Sequence, residues 1–250
     1  YIVGDDGLYV ADKTQRHKVG NAMPKFVGGF GTSVSWKNIT LDVAFDFRIG
    51  GDVLNLPWQY MMDAGTITDA VGARDYSTGG IFYYSDKDDE SNKASIHVLT
   101  ASEVAQVKDT YKRGDKFNGH YLWDNGVIQK GVKADGTPND VVVTQFEIND
   151  NQYGWGTGAT QSYANAIQKN SYVKCREISL AYTLPKQWTK KFGCNNLTVS
   201  AFARNPFYIY RSLKLFDSET SYATNWIYQA QIGGSTASSR TFGVSLRASF

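Results

Sequence analysis

Residues 239–250 read SRTFGVSLRASF, and the class of the fold turns on them. Phe242, Val244, Leu246, Ala248 and Phe250 are apolar, while Ser239, Thr241, Gly243, Ser245, Arg247 and Ser249 are small, polar or charged. Only a β-strand sends alternate side chains to opposite faces. One face is greasy to the last residue, and the other carries Arg247 at mid-strand. Two environments accept such a strand. One is a half-buried sheet with a wet outer face; the other is a transmembrane barrel wall with lipid outside and a wet lumen inside.

Four more stretches carry the same rhythm. At 39–49, Ile39, Leu41, Val43, Phe45, Phe47 and Ile49 are apolar, and Thr40, Asp42, Ala44, Asp46 and Arg48 alternate with them. This run reaches the upper end of the roughly 9–11 residues that a tilted membrane crossing needs. At 25–36, Phe26, Phe30, Val34 and Trp36 share a face, and Lys37-Asn38 turns the chain into the next strand. At 171–184 the phase of Val173 and Cys175 is opposite to that of Ile178, Leu180 and Tyr182. A bulge near Arg176-Glu177 would bring both sets to one face. The fourth stretch is 197–210, interrupted at Asn205-Pro206.

Composition agrees with a β-rich chain. The 250 residues are rich in Tyr, Phe, Gly, Ser, Thr, Asn and Asp, poor in Pro, and carry a net charge of only +2. Scattered Lys and Arg give no stripe for nucleic acid, so no nucleic-acid partner is expected. No apolar stretch is long enough for a transmembrane helix, which leaves a barrel open. The opening YIVGDDG lacks the features of a signal peptide and reads as a processed chain, a domain or a fragment. Cys175 and Cys194 form no CxxC pair, and their different places in the strand pattern favour two free thiols.

Between 50 and 170 the rhythm stops. The segment holds a helix candidate from Thr100 to Tyr111, with Glu103 three residues after Thr100 as in a capping box, and turns at Asp124-Asn125-Gly126 and Asp135-Gly136. Compact domains seldom carry so long a connection. Trp58, Tyr83, Tyr84, Tyr121, Trp123 and Trp155 in this segment, with Trp226 and Tyr228 in the 212–238 loop, are candidate contacts for a substrate or a lid. A loop folded on its own small core is the plainer reading of each. Short and long loops alternate along the chain, and aromatics gather at strand ends, as in outer-membrane barrels. Five strands with open edges cannot sit in lipid, so such a barrel would be incomplete here.

Several phrases make the chain resemble the carboxy-terminal part of SusC/RagA-type TonB-linked outer membrane proteins. They are GNAMPKFVGGFGTSVSWKNITLDVAFDFRIGG at 20–51, GVKADGTPND at 131–140, SYVKCREISLAYTLP at 171–185, ARNPFYIY at 203–210 and the terminal RTFGVSLRASF. Cys175 and Pro206 each stand where the family usually has Leu. The resemblance implies an all-β, transmembrane antiparallel β-barrel, of which this chain supplies the last five of 22 strands. Residues 1–24, 50–170 and 212–238 would be loops outside the cell, in the bacterial outer membrane, with the carboxy terminus at the periplasmic side.

The same resemblance implies TonB-dependent import of a glycan or peptide, with a SusD-like surface lipoprotein, a plug domain, TonB and outer-membrane lipid as partners. Asp42, Asp46, Arg48, Arg204 and Arg247 would face the lumen or plug, and Phe250 would serve as the barrel-assembly signal.

No catalytic constellation stands out. His17, His97 and His120 are scattered, and HExxH, GxSxG and phosphate-loop motifs are lacking, so no enzyme, cofactor or metal is expected. Asp86, Asp88, Asp89 and Glu90 read as a solvated acidic loop rather than a calcium site. The alternative from another class is a soluble cell-surface β-sandwich that binds carbohydrate.

Overall fold

A computed structural model of the chain describes residues 1–12, 14–85, 96–154, 163–213, 215–220, 231–232 and 236–250. In chain order the first elements are β1 (Pro24–Trp36), β2 (Ile39–Gly50), β3 (Asp52–Asn55), α1 (Leu56–Asp63), β4 (Ile81–Ser85), β5 (Ile96–Val98) and α2 (Ala101–Val107). Then come β6 (Lys116–Phe117), β7 (His120–Ile128), β8 (Val142–Thr144), α3 (Gln145–Tyr153), β9 (Ile167–Lys169) and β10 (Tyr172–Thr183). The last are α4 (Lys186–Thr189), β11 (Asn196–Arg204), β12 (Tyr208–Arg211), β13 (Gln231–Ile232) and β14 (Thr241–Ser249). The chain divides into two compact units, Tyr1–Lys18 with Leu56–Ala166, and Val19–Asn55 with Ile167–Phe250.

The sheet unit, 19–55 with 167–250, is built on the alternating strands. Its main sheet runs β1-β2-β10-β11-β14, all antiparallel, with β12 added beside β10. The register places Val34, Leu41, Leu180, Ala201 and Val244 in one row across five strands. On this apolar face Val34 is 57% exposed, Leu180 53% and Val244 75%, so the greasy side of the alternation is not covered by the chain itself. The phase change in β10 is absorbed by a register shift between Cys175 and Glu177, which leaves Arg176 as the extra residue. On the other face the Phe202 ring lies over Gly243, where a Cβ would come within 2.5 Å of Phe202 Cζ. The glycine is needed there for close approach. A smaller sheet sets β3 between β13 and β9, over a core of Val53 and Leu213 with Phe216 against it.

The resemblance implied an all-β chain supplying the last five strands of a 22-stranded barrel, and this is corrected. Among the described residues 19% are helical and three sheets form, the largest curving through only 199° without closing. β1 and β14 are its two edges and do not pair with each other. The multi-pass outer-membrane placement, with loops outside and a periplasmic carboxy terminus, is therefore corrected as well. No helix among the described residues is long and apolar enough to cross a membrane.

The second unit, 1–18 with 56–166, is the segment that lacked rhythm. Its sheet runs β5-β4-β7-β6, with β8 on β7. Phe82, Leu99 and Leu122 form its buried core, with Tyr84, Val104, Val107, Tyr111 and Phe117 packed around them. Capping boxes start two of its helices. Thr100 and Glu103 begin α2, and Thr144 and Glu147 begin α3, the latter with Glu147 N donating to Thr144 Oγ1 at 3.2 Å. Ile2 bridges to Val132 and Val3 to Tyr9, which fastens the first residues to this unit. Cys175 and Cys194 are both buried, and no disulfide joins them.

Candidate functional site

A cavity of about 400 Å³ opens in the 1–18/56–166 unit, built from the end of α1, the turn after it and the start of α3. Asp63, Arg74, Asn125, Gln145, Phe146 and Asn149 give it its chemistry. Each is placed by a local interaction. The capping box of Thr144 and Glu147 fixes the first turn of α3, which carries Gln145 and Phe146. Gln145 Nε2 donates to Asn149 Oδ1 at 2.9 Å, one helical turn on. Tyr83, buried in β4, donates its hydroxyl to Asn125 Oδ1 at 3.1 Å, which turns the Asn125 amide nitrogen away from that bond. Arg74 donates to the Gly65 carbonyl, tying its guanidinium to the turn after α1.

Phe146, at the mouth of the cavity, is 71% exposed. An aromatic ring held at the mouth of a polar cavity offers a flat apolar face beside amide, guanidinium and carboxylate groups. Such a set recognises a ligand that has both an apolar face and many hydroxyls. Burial pushes the Asp63 carboxyl above its ordinary value, and repulsion from Asp150 adds to this. The groups lining the cavity offer hydrogen bonding, charge and ring stacking. Among the described residues no group of three His, Cys, Asp or Glu gathers to hold a metal ion.

The aromatic candidates from the sequence fall elsewhere. Trp58 is half-buried in α1, donating to Asp69 at 3.3 Å and packed edge-on against Tyr153 at 5.3 Å. Tyr83 is a core residue. Tyr84 lies between two imidazoles, stacked on His97 at 5.1 Å and on His120 at 5.5 Å. Tyr121 is exposed, with the Lys116 ammonium 4.4 Å from its ring centroid. The indole nitrogen of Trp123 is buried, with no hydrogen-bond partner among the described residues. Trp155, Trp226 and Tyr228, and the acidic run Asp86, Asp88, Asp89 and Glu90, lie outside the described residues.

Phe146 and its neighbours were missed. The signal was available, because Thr144-Gln145-Phe146-Glu147 repeats the T-x-x-E spacing read at Thr100.

The charged residues assigned to a lumen or plug face take part in contacts within the sheet unit. Asp42 accepts from Ser179 Oγ at 3.1 Å, and Arg48 donates to the Ala22 carbonyl at 3.2 Å. Arg204 pairs with Glu177 at 3.2 Å on an exposed flank. Arg247 is exposed opposite Thr198, and Phe250 is 84% exposed. Asp46 belongs to a larger ionic knot, where it meets Arg176 at 2.5 Å. Arg176 also grips Glu219 through both terminal nitrogens, and Lys174, only 1% exposed, donates to Glu219 and to Ser238 Oγ.

Next to the knot, Tyr208 donates to Asp217 at 2.5 Å, and Ser238 donates to it through both N and Oγ. Burial works against the Asp217 carboxylate, but these bonds from Ser238 and Tyr208 outweigh it and bring the group down to about 2. Burial likewise opposes the Glu219 charge, yet Arg176 and Lys174 hold it below the ordinary range. Tyr172 is pushed up to about 12 by burial, then by the Glu219 charge.

Comparison with known proteins adds little. No family model and no curated protein matches the chain. Solved structures with a related course of the chain include the RagAB peptide importer in the "open-open" state, 15% identical over 97% of this chain at a TM-score of 0.46. This chain spans about a fifth of that one's length, 20%. A likeness so slight carries no argument about function. Membership of the SusC/RagA family, expected from the five phrases, is accordingly not upheld, since the chain is a mixed α/β fold with no closed barrel. TonB-dependent import goes with it, because a sheet open along two edges encloses no lumen.

Proposed function

We propose that the chain is a non-catalytic carbohydrate-binding module whose ligand sits in the cavity beside α3. One observation carries the reading: Phe146, 71% exposed, borders a cavity of about 400 Å³ together with Asp63, Arg74, Asn125, Gln145 and Asn149. The apolar face of a pyranose ring stacks on an exposed aromatic, and its hydroxyls pair with planar amide, carboxylate and guanidinium groups. The host is not the β-sandwich expected for such a module. Two sheets of the sheet unit do not supply the site, which lies in the α/β unit of 1–18 and 56–166.

A cavity of this volume accommodates one or two sugar rings, within the range of small-molecule pockets. The function rests on the site and not on fold analogy. The test is a glycan array probed with the full chain, followed by titration calorimetry of any hit against the wild type and Phe146→Ala. Binding that weakens roughly tenfold or more in the variant supports the reading, as expected for loss of a stacking ring. No glycan bound at millimolar concentration, or equal binding by Phe146→Ala, would sink it.

A further inference from the structure

We infer that the sheet unit carries a second, separate binding site, for an oxyanionic group of the carboxylate or sulfate type. The site is a cleft of about 400 Å³ where β12 and the residues before β14 meet Lys174 of β10. Its lining includes Lys174, Arg211 and Arg240 against a single carboxylate, Asp217. That carboxylate is already saturated, since Tyr208, Ser238 and the Glu219 backbone nitrogen all donate to it. Lys174 is likewise committed, to Glu219 and Ser238.

The two arginines differ. Both are exposed, and neither makes an ion pair with a carboxylate among the described residues. The Arg211 guanidinium is not loose, because it lies 5.6 Å over the Tyr208 ring centroid. Tyr208 is in turn pinned by Asp217, so the chain spends an internal hydrogen-bond network on orienting an unpaired cation. A planar guanidinium in a fixed attitude is the group best suited to hold a carboxylate or sulfate through two parallel bonds. Phe207, 48% exposed, and Leu215, 54% exposed, border the same cleft and give the ligand's carbon skeleton an apolar surface. The ligand class is thus an organic acid or sulfate ester, as distinct from a bare halide or a neutral sugar.

The experiment uses the full chain and three probes: glucuronate, glucose 6-sulfate and glucose, each titrated by calorimetry at low ionic strength. Saturable binding of either acidic probe, with glucose silent at this site, is the expected result, and the two acidic arms separate a carboxylate site from a sulfate site. Arg211→Gln and Arg240→Gln should each weaken that binding roughly tenfold, the weight of a charge-assisted pair. Phe146→Ala serves as the control and leaves it unchanged, so failure here is distinguishable from failure of the α3 cavity. The inference is overturned if, in the Phe146→Ala background that weakens the α3 cavity, glucose binds as well as the acids, if neither acid binds at millimolar concentration, or if both arginine variants bind like the wild type.

Discussion

Replacing Glu219 with Gln should be the most damaging single change in the sheet unit short of a core truncation. Glu219 accepts from Lys174 and from both terminal nitrogens of Arg176, and lies 3.5 Å from the Tyr172 hydroxyl. The amide keeps the shape but removes the charge that neutralises Lys174, a side chain only 1% exposed. Arg176 retains Asp46 at 2.5 Å; among the described residues Lys174 retains Ser238 at 2.8 Å and the Tyr208 ring at 4.9 Å. Breaking a buried pair so that one charge is stranded costs about 3–5 kcal/mol.

Lys174→Met is the informative contrast. It leaves Glu219 held by Arg176, so the loss should stay at about 1–2 kcal/mol, the weight of a lost charged hydrogen bond. The double variant should then cost less than the sum, with a coupling of at least about 1 kcal/mol. Urea unfolding of the full chain, followed by circular dichroism, reads all three. If Glu219→Gln costs under about 0.5 kcal/mol, or if Lys174→Met costs more than it does, the carboxylate is not the keystone argued here.

Three further outcomes are expected. Asp217 has a folded value of about 2 against an ordinary 3.8, so its stabilisation is complete above pH 4 and is lost as pH falls toward 2. The full shift corresponds to about 2 kcal/mol, which solvent screening reduces to about 1 kcal/mol, and Asp217→Asn should flatten that part of an acid-unfolding curve. Thr144→Ala removes the cap of α3 and should lower stability by about 1 kcal/mol in thermal unfolding, while Phe146→Ala, being exposed, should change it by less than about 0.5 kcal/mol. Gly126→Ala should cost about 1–3 kcal/mol in the same assay, because the new methyl would meet Tyr83 Cδ1 at 2.7 Å and Val142 Cγ1 at 2.9 Å.

The strict alternation at 39–49 and 241–249 was readable because the period of two needs nothing beyond the strand itself. Even the phase slip at Arg176 was visible, and it coincides with the register shift in β10. What alternation could not reveal is closure. The same pattern suits a barrel wall and an open sheet, and the resemblance to a barrel family tipped the reading toward the one the chain does not form. The 50–170 stretch was opaque for a different reason. β5, β6 and β8 are two or three residues long, too short to show any period, and β4 is buried on both faces for most of its length. The helix at Thr100 announced itself through its capping box, whereas the identical signal at Thr144 went unread beside the residue that matters most for the proposed ligand. The ionic knot was half legible: Asp46 and Arg176 stand on the readable strands, but Glu219 comes from a polar loop with no pattern to place it.

The pairing of β3 with β9 has a bearing on how the chain folds. Val53 lies opposite Gln168 and Leu54 opposite Ile167, so the two points where residues 56–166 leave and rejoin the sheet unit are neighbouring rungs of one ladder. Closing an excursion of that length costs about 4 kcal/mol of chain entropy beyond the constant term. That cost falls on whichever unit forms first. If the 56–166 stretch collapses early, it carries its own ends together and presents β3 to β9 ready to zip. Swapping it for a short Gly-Ser bridge should then leave the ladder in register and speed its assembly.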